Sequence, residues 1–544
     1  MGGLSMSSPD NGERSDRPAN LDYVPKWAGD DRQGQARSAE PGLSNEAEGF
    51  PDRDLSQRPR SLDPEIIHFR QLPRPRRGWF ASSAGLVIAA ALGAVIGLAV
   101  TGQFPSIFGE TAQFSTKMNE LASMLDHKKS PEPARSLPAG VVTAPTGQLS
   151  ANGAPAHIAT VGGTNAAAPI IRGVTESEIR FGISAPFTGP ARELGQNLKM
   201  GIEAAFNMAN ANGGVYGRQL RLIAVDDGYE PARTATTIKQ LYEKDQVFAL
   251  VGNVGTPTAV VALPYALDRK MLFFGAFTGA GLLRNDPPDR YVFNYRASYA
   301  EETAAVVNYL VKVRQLLPEQ IAVFAQQDAY GDAGFAGVEK AIRSLRGGNE
   351  TPILRLNYQR NTVDVDDAVT QLQLKRRIPI KAVIMVPTYR AAAKFIEKTR
   401  DLYPDMIFTS VSFVGSTALA DELMLLGPKY ATGVIVTQVV PAVEGHSSLV
   451  LDYKSALAKY FPGVPSDYVS LEGYVDGSVL IAALQRNGPQ LDTEKLVGTL
   501  ESVRDLDIGL GTPVTFSRSE HQGVHKVWGT QLDANVHYQS IDLQ

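Results

Sequence analysis

The sequence of 544 residues contains no cysteine. Disulfide bonds, thiolate catalysis and cysteine-ligated zinc are therefore excluded. A chain without thiols suits an oxidising compartment outside the cytoplasm, although many cytosolic proteins also lack cysteine.

A strong charge of one sign and catalytic motifs are also missing. The formal net charge of -4 gives no electrostatic reason to expect a nucleic-acid partner. The chain has no Gly-x-Ser-x-Gly elbow, no His-Glu-x-x-His and no phosphate loop ending in Gly-Lys-Ser/Thr. We interpret His521 and His525, which flank Gly523, as surface or loop residues and not as metal ligands. The sequence thus predicts a protein that is not an enzyme and has no metal or cofactor.

The first part of the chain changes abruptly from polar to apolar. Residues 1–78 are rich in Ser, Asp, Arg, Gly, Pro and Glu, so we expect a disordered tail. Residues 79–101 carry no charge, and as a helix they would rise ~34 Å, enough to span a hydrocarbon core of ~30 Å. A cleaved signal peptide would have a shorter apolar stretch nearer the N-terminus. We therefore predict a retained transmembrane helix.

The flanks of this helix predict its orientation. Four arginines lie between residues 70 and 77, whereas residues 105–116 contain no Lys or Arg. The positive-inside rule then places the tail in the cytoplasm, the anchor in the inner (cytoplasmic) membrane and the rest in the periplasm or outside the cell. Small residues recur every fourth position from Gly85 to Gly97. Such a stripe allows close helix packing, so we predict a homodimer through the anchor, although Ala/Gly-rich helices show this spacing by chance too.

After the anchor, residues 102–173 combine a short amphipathic helix with a flexible stalk rich in Pro, Ala and Gly. From Val174 onward, short β-branched runs alternate with amphipathic helical segments that begin near Arg192, Pro231 and Thr256. The predicted strands are 178–184, 219–226, 247–252, 271–275, 291–295, 320–324, 352–356, 381–386, 406–410 and 433–437. This alternation is typical of α/β proteins with parallel sheets, and the number of strands favours two doubly wound lobes.

Several loop motifs of this region occur together and in order. They are Ser184-Ala-Pro-Phe-Thr-Gly-Pro, Asn210-Ala-Asn-Gly-Gly-Val-Tyr-Gly, Val225-Asp-Asp-Gly-Tyr-Glu-Pro, Gly252-Asn-Val-Gly-Thr-Pro-Thr, Phe274-Gly-Ala-Phe-Thr-Gly and Ala329-Tyr-Gly-Asp. With these motifs, residues 174–544 resemble the type I periplasmic-binding-protein family. The closest branch is that of the branched-chain amino acid (leucine/isoleucine/valine) binding proteins of ABC transporters.

The resemblance implies two lobes joined by a hinge of three crossings. Lobe one would comprise about residues 174–299 and 441–529, and lobe two about 300–440 and 530–544. The crossings would lie near residues 297–300, 440–441 and 529–530.

The resemblance also implies a ligand site between the lobes. The residues that it assigns to this site are Asn253, Thr256, Phe277, Thr278, Tyr330, Tyr389, Ser412 and Phe413. Helix N-termini and hydroxyls there suit a carboxylate, and the aromatic rings suit an apolar part of the ligand or a cation.

This sequence departs from the family pattern in two places. The glutamate that usually pairs with a ligand ammonium is absent, since that place reads Val411-Ser412-Phe413. Leu194 stands where the first loop usually carries an aromatic residue. Either Glu193, Glu301 or Glu472 substitutes for the missing acid, or the ligand is an amide, a carboxylate or a small aromatic acid.

The resulting hypothesis is a membrane-anchored, extracytoplasmic solute-binding protein that clamps a small polar ligand for an ABC-type permease. A ligand sensor that signals to a cytoplasmic partner is the alternative, and an enzyme on a related fold is a third.

Overall fold

The computed structural model describes residues 171–374 and 378–544. The predicted tail, anchor, amphipathic helix and anchor dimer lie outside the described residues, and so does the predicted stalk up to residue 170. Within the described part of the chain, no helix has the length and apolar character needed to span a membrane.

Lobe one is built on a parallel sheet of five strands with the order β2-β1-β3-β4-β5. The strands are β1 (Glu178–Ala185), β2 (Gln219–Asp226), β3 (Ala249–Val251), β4 (Phe273–Phe274) and β5 (Val292–Phe293). Its helices are α1 (Arg192–Ala211), α2 (Pro231–Glu243) and α3 (Thr256–Asp268), and later α10 (Ser448–Tyr460), α11 (Tyr468–Asn487) and α12 (Thr493–Leu500).

Lobe two is built on a seven-stranded sheet with the order β12-β11-β10-β9-β8-β6-β7. The strands are β6 (Ile321–Gln326), β7 (Leu354–Tyr358), β8 (Ala382–Val386), β9 (Ile407–Ser410), β10 (Ile435–Gln438), β11 (Trp528–Leu532) and β12 (Tyr538–Ile541). The helices are α4 (Tyr299–Asn308), α5 (Ala329–Leu345), α6 (Asp366–Leu374), α7 (Tyr389–Arg400), α8 (Ser416–Leu426) and α9 (Pro428–Ala431).

The ten strands predicted up to residue 437 are all present, and the expectation of two α/β lobes with parallel strands is confirmed. The second sheet is parallel except at one edge. There β11 pairs antiparallel with β10 and β12 pairs antiparallel with β11. The reason is that the C-terminal segment returns as a hairpin, which needs no helical crossover.

Helices α1 and α11 pack unusually closely in lobe one. A Cβ atom placed on Gly201 would lie 1.8 Å from the Ser470 carbonyl oxygen, and one on Gly473 would lie 2.3 Å from that of Leu198. Only glycine lets the two backbones approach this far. Residues from the C-terminal part of the chain therefore complete the core of the first lobe.

Three chain crossings join the lobes. The first lies between β5 and α4, and the second lies between β10 and α10. Tyr295 of the first crossing donates a hydrogen bond to the Val439 carbonyl of the second, at 2.6 Å. The third crossing was predicted near Gly529, but Gly529 already pairs with Thr437 inside β11. That crossing therefore ends before Trp528, where the strand begins.

Candidate functional site

The site lies where the carboxyl ends of the strands in both sheets face each other. In parallel sheets, the loops after the strands and the N-termini of the following helices meet at this edge. The residues predicted for ligand binding fall in such loops, after β3 and β4 in lobe one and after β6, β8 and β9 in lobe two. All eight are buried. Their contact with a ligand stays a prediction.

Five aromatic rings fill the centre of the closed cleft, and we call them the cleft cluster. They are Tyr229, Phe277, Tyr299, Tyr330 and Phe413. Phe413 is the hub, because its ring centre lies 4.6 Å from that of Tyr330 and 5.1 Å from that of Phe277. Since Phe277 belongs to lobe one and Phe413 to lobe two, these rings bring the two lobes into direct contact.

Lobe one contributes a polar group beside this cluster. The hydroxyls of Thr256 and Thr278 are hydrogen-bonded to each other at 2.7 Å, and both side chains are fully buried. Asn253 is also buried, and neither its amide nitrogen nor its amide oxygen has a protein partner. Thr256 opens α3, whose first N–H groups have no partner within the helix. These groups can donate hydrogen bonds to an anionic or carbonyl oxygen.

A glycine in this loop is required by an aromatic neighbour. Gly255 has a φ of +103°, and a Cβ atom there would lie 2.3 Å from the ring of Tyr229. Any larger residue would displace that ring from the cleft cluster, so the turn before α3 and the position of Tyr229 depend on each other.

Lobe two contributes Tyr330 and Tyr389, which differ in their surroundings. Tyr330 is fully buried, its backbone N–H is capped by Asp328, and its hydroxyl donates to the Pro387 carbonyl at 3.3 Å. Tyr389 begins α7 outside the cleft cluster, and burial raises the pKa of its hydroxyl. The structure therefore joins Tyr330 to the cluster and leaves Tyr389 at its edge.

A buried guanidinium lies at the place where the family pattern lacks its acid. Arg296, in the first crossing, donates to Glu302 of lobe two at 3.1 Å and to Glu472 of lobe one at 3.2 Å. It also donates to the hydroxyl of Ser412, one of the predicted site residues. Its guanidinium carbon lies 4.9 Å from the ring centre of Phe277. A cation thus lies within the aromatic part of the site.

The carboxylate of Glu302 is fully satisfied by lobe two and the hinge. One oxygen accepts from Arg296, and the other accepts from the Ser412 N–H at 2.8 Å and the Thr437 hydroxyl at 2.6 Å. Such a hydrogen-bonded pair is the form in which buried charges are stable. Burial opposes the charged guanidinium, but Glu472 and Glu302 outweigh this effect and raise the pKa of Arg296.

Two further carboxyl groups on α11 lie near this pair. Burial raises the pKa of Glu472 to about 7, against the attraction of Arg296. Burial also raises the pKa of Asp476, and neither of its oxygens has a protein partner. Asp476 packs against Gly275 at the end of β4, where a Cβ atom would lie 2.5 Å from its carboxyl carbon. Asp476 is therefore favoured in its neutral form.

The three acids suggested as substitutes for the missing glutamate lie in different surroundings. Glu472 lies close to the site but is already paired with Arg296. Glu301 faces the hinge, where it caps α4 and contacts His525 at 2.6 Å. Glu193 lies on α1 and pairs with Arg192 at 3.2 Å. Hence none of the three is an unpaired carboxylate at the position that the resemblance implied.

Polar contacts also join the lobes at the rim of the cleft. Arg360 of lobe two pairs with Glu230 of lobe one at 3.0 Å and with Asp328 of its own lobe at 2.9 Å. The Asn361 amide donates to Glu230 at 2.6 Å. On the other side, Leu194 lies 2.6 Å from where a Cβ atom of Gly415 would be. The residue in the usual aromatic position of the first loop therefore packs against lobe two.

Both histidines lie in the loop before β11, as the sequence predicts, but only one of them is exposed. His521 is buried and its ring stacks on Phe293 with centres 3.9 Å apart. It is buried because its loop runs beside β5, where the Asn294 N–H donates to the His521 carbonyl. His525 is exposed, as expected for a loop residue, and its contact with Glu301 raises the pKa of the imidazole.

Sequence reasoning missed Tyr229, Tyr299 and Arg296. Tyr229 lies in a motif that was recognised, but its side chain was not assigned to the site. Arg296 directly precedes the predicted hinge at 297–300, and Tyr299 lies within it. An arginine between a buried strand and a capped helix was a usable signal. The partners of Arg296 come from distant segments, so their convergence could not be read from the sequence.

Comparisons with known proteins agree with this fold. A family model described as periplasmic binding protein matches residues 178–536. The Leu/Ile/Val-binding protein homolog 3 of Brucella melitensis is 24% identical over 345 residues, which cover 63% of this chain and 88% of that protein.

Solved structures give the same result. A possible leucine/isoleucine/valine-binding protein from Rhodopirellula baltica is 42% identical, with a TM-score of 0.64, and the match covers 69% of this chain and 98% of that one. A substrate-binding periplasmic protein from Ralstonia solanacearum is 25% identical, with a TM-score of 0.61 and coverage of 67% and 100%.

Proposed function

Because this chain belongs to the periplasmic binding protein family, we propose that it is a solute-binding protein whose two lobes close on a small polar ligand. The ligand is an amino acid, an amide or a small organic acid, and the chain performs no catalysis. The observation that carries this proposal is the buried contact of Phe277 and Tyr229 of lobe one with Phe413 of lobe two. Side chains from both lobes share one interior only if the cleft can close.

The groups around this interior suit a ligand with an oxygen acceptor and an apolar part. Asn253, Thr256 and the first turn of α3 supply donors. The cleft cluster supplies aromatic surface, which stabilises apolar groups by burial and by contact with the ring faces. The proteins from Rhodopirellula and Brucella are named for leucine, isoleucine and valine, so small acids of that size are the first candidates.

A thermal-shift screen tests this function. The panel contains amino acids, their amides and the corresponding carboxylic acids. Each compound is used at about 1–10 mM, so that binding with a dissociation constant of up to about 1 mM is detected. We expect a ligand to raise the melting temperature, because it binds the folded state alone. Binding must also be weakened by Thr256→Val, which distinguishes the cleft from other surfaces. A flat response across all three classes would contradict the proposal.

The proposed location is the outer side of the cytoplasmic membrane, with delivery to an ABC-type permease. The support is the uncharged run at residues 79–101, with its basic flank at residues 70–77. The test is fractionation of cells that express the whole chain, followed by protease treatment of spheroplasts. We expect residues 171–544 in the membrane fraction and accessible to the protease. A soluble chain, or a protected binding domain, would contradict this topology.

A ligand sensor is the second candidate, and the 78 residues before the predicted anchor favour it. A transport protein has no need of this tail, whereas a sensor needs a cytoplasmic element to report occupancy. Deletion of residues 1–78 separates the two roles. If the chain serves an importer, cells still take up the ligand after the deletion. If it serves a sensor, the deletion abolishes the cellular response to the ligand.

A further inference from the structure

The charge at the centre of the site argues for a particular class of ligand. Arg296 is 1% exposed and lies among Phe277, Tyr299 and Ser412. A cationic group of a ligand could contact these aromatic rings only from the position that the Arg296 guanidinium already occupies. The chain supplies a cation there itself.

This cation is fixed in place and stays charged. Glu302 and Glu472 hold two of its nitrogens, and they come from different lobes. Arg296 cannot move away from either without leaving a buried carboxylate unpaired, which is strongly unfavourable. The guanidinium is thus a permanent feature of the closed cleft.

Arg296 also retains hydrogen-bonding capacity. Among the described residues, its Nε–H group has no hydrogen-bond partner. A guanidinium has five N–H donors and no acceptor. A ligand group beside it must therefore be an acceptor, and a carboxylate or carbonyl oxygen satisfies this requirement.

The nearby acids do not offer an alternative position for an ammonium. Both oxygens of Glu302 already accept hydrogen bonds, and Glu472 is bound to Arg296. Asp476 packs against the backbone at Gly275, and its burial favours the neutral form, which does not attract an ammonium. An α-ammonium would meet a like charge in a site from which water is excluded, where repulsion is strong.

We propose that Arg296 is a specificity residue that makes this site select small carboxylic acids without an α-ammonium, such as 2-oxo acids with an apolar or aromatic remainder. This inference rests on the proposed solute-binding function. The ligand's acidic end contacts donors of the chain, and its apolar remainder contacts the cleft cluster.

The test compares ligands that differ only at the α-carbon. The full chain is purified in detergent, and binding is measured by titration calorimetry with 4-methyl-2-oxopentanoate against L-leucine, and with phenylpyruvate against L-phenylalanine. We expect at least one oxo acid to bind about tenfold or more tightly than its amino acid, because its α-oxygen is an acceptor and the ammonium is a cation. Equal or tighter binding of the amino acids would overturn the inference while leaving the solute-binding function intact.

Variants locate the preference at Arg296. The double variant Arg296→Met/Glu472→Gln removes the cation together with one of its acids and leaves Glu302 hydrogen-bonded to Ser412 and Thr437. We expect the preference for oxo acids to disappear in this variant. Arg343→Gln, an exposed arginine paired with Glu350, is the matched control and should bind like the wild type.

The remaining outcomes are also decisive. If circular dichroism shows that the double variant does not fold, the inference is judged by the affinities of the wild-type chain for the oxo acids and the amino acids. If the double variant folds and keeps the preference, Arg296 is not its source and the inference fails. If neither oxo acids nor amino acids bind, and no compound of the thermal-shift panel does, the solute-binding function and the inference fail together.

Discussion

The hydroxyl of Tyr229 accepts a hydrogen bond from the side-chain amide of Gln326 at 3.2 Å, although the two residues belong to different lobes. Gln326 in turn accepts from the hydroxyl of Tyr358 at 2.8 Å, and that hydroxyl accepts from the Thr388 N–H at 3.0 Å. A continuous chain of hydrogen bonds thus runs from the first lobe to the loop before α7. Closure of the cleft completes this chain.

Tyr229→Phe should weaken the closed state without removing a ring from the cleft cluster. A buried hydrogen bond contributes about 1 kcal/mol, so we expect ligand to dissociate roughly fivefold faster. Stopped-flow fluorescence measures this rate. Tyr265→Phe removes a hydroxyl that contacts Glu243 on the surface of lobe one and serves as the control. An unchanged rate for Tyr229→Phe would show that the contact does not contribute to closure.

Ligand binding should make the molecule more compact. Small-angle scattering of residues 171–544 should show a smaller radius of gyration when a ligand from the screen is added. Arg360→Gln should reduce this change, because Arg360 holds Glu230 of the other lobe. A particle whose dimensions do not respond to any ligand that binds it would argue against a closing clamp.

Thr256→Val should weaken ligand binding by about 1.5–3 kcal/mol, or roughly 10–150-fold, because a buried hydroxyl beside a charged ligand group is lost. Thr256→Ser keeps the hydroxyl and should bind nearly as well as the wild type. Isothermal titration measures both. Equal affinities in the two variants would mean that the hydroxyl does not contact the ligand.

Tyr330→Ala should destabilise the fold. The ring of Tyr330 is fully buried against Phe413 and Tyr299, so its removal leaves a large cavity. We expect a loss of about 3–5 kcal/mol in the free energy of unfolding, measured with denaturant. Tyr330→Phe keeps the ring and is the better test of the hydroxyl. Wild-type stability of Tyr330→Ala would contradict the packing described above.

Asp476→Asn should change how stability depends on pH. Burial raises the pKa of Asp476 above its ordinary value of 3.8. The folded state therefore holds a proton that the unfolded state releases, and stability falls as the pH rises above that ordinary value. Asparagine carries no charge to desolvate, so the variant should gain stability relative to the wild type as the pH rises above 3.8. Thermal melts across this range measure the difference, and exposed Asp405→Asn is the control.

The control should leave the slope of stability against pH unchanged. If Asp476→Asn also leaves it unchanged, another group carries the buried proton. Glu472 is the alternative, because its pKa is raised to about 7 in the same cluster.

The fold could be predicted from the sequence to a large extent. Strand–helix alternation is a local pattern, and the start of α3 at Thr256 followed from glycine and proline at its first turn. The sequence did not predict that β11 pairs antiparallel with β10, because this pairing depends on contacts between distant segments. The third crossing was expected near residues 529–530, and β11 begins at Trp528.

The candidate site could be predicted only in part. Phe277 and Phe413 were assigned to it through their loops, and the structure places them in contact. The role of Arg296 could not be predicted, because its partners Glu302 and Glu472 are brought to it by a helix of each lobe. Local patterns indicate which loops reach the cleft, whereas the balance of charge inside it is a property of the folded whole.

The close packing of α1 against α11 has a consequence for biosynthesis. The ribosome delivers α1 and the strands of the first sheet early, but α11 emerges only after every strand from β6 to β10 has been made. Until then, the face of α1 that carries Gly201 has no partner, and domains with exposed apolar faces are prone to aggregate. The second sheet is likewise incomplete until β11 and β12, at the end of the chain, have been made. Both lobes therefore reach their final form only when synthesis is nearly complete, and a truncated chain leaves neither of them whole.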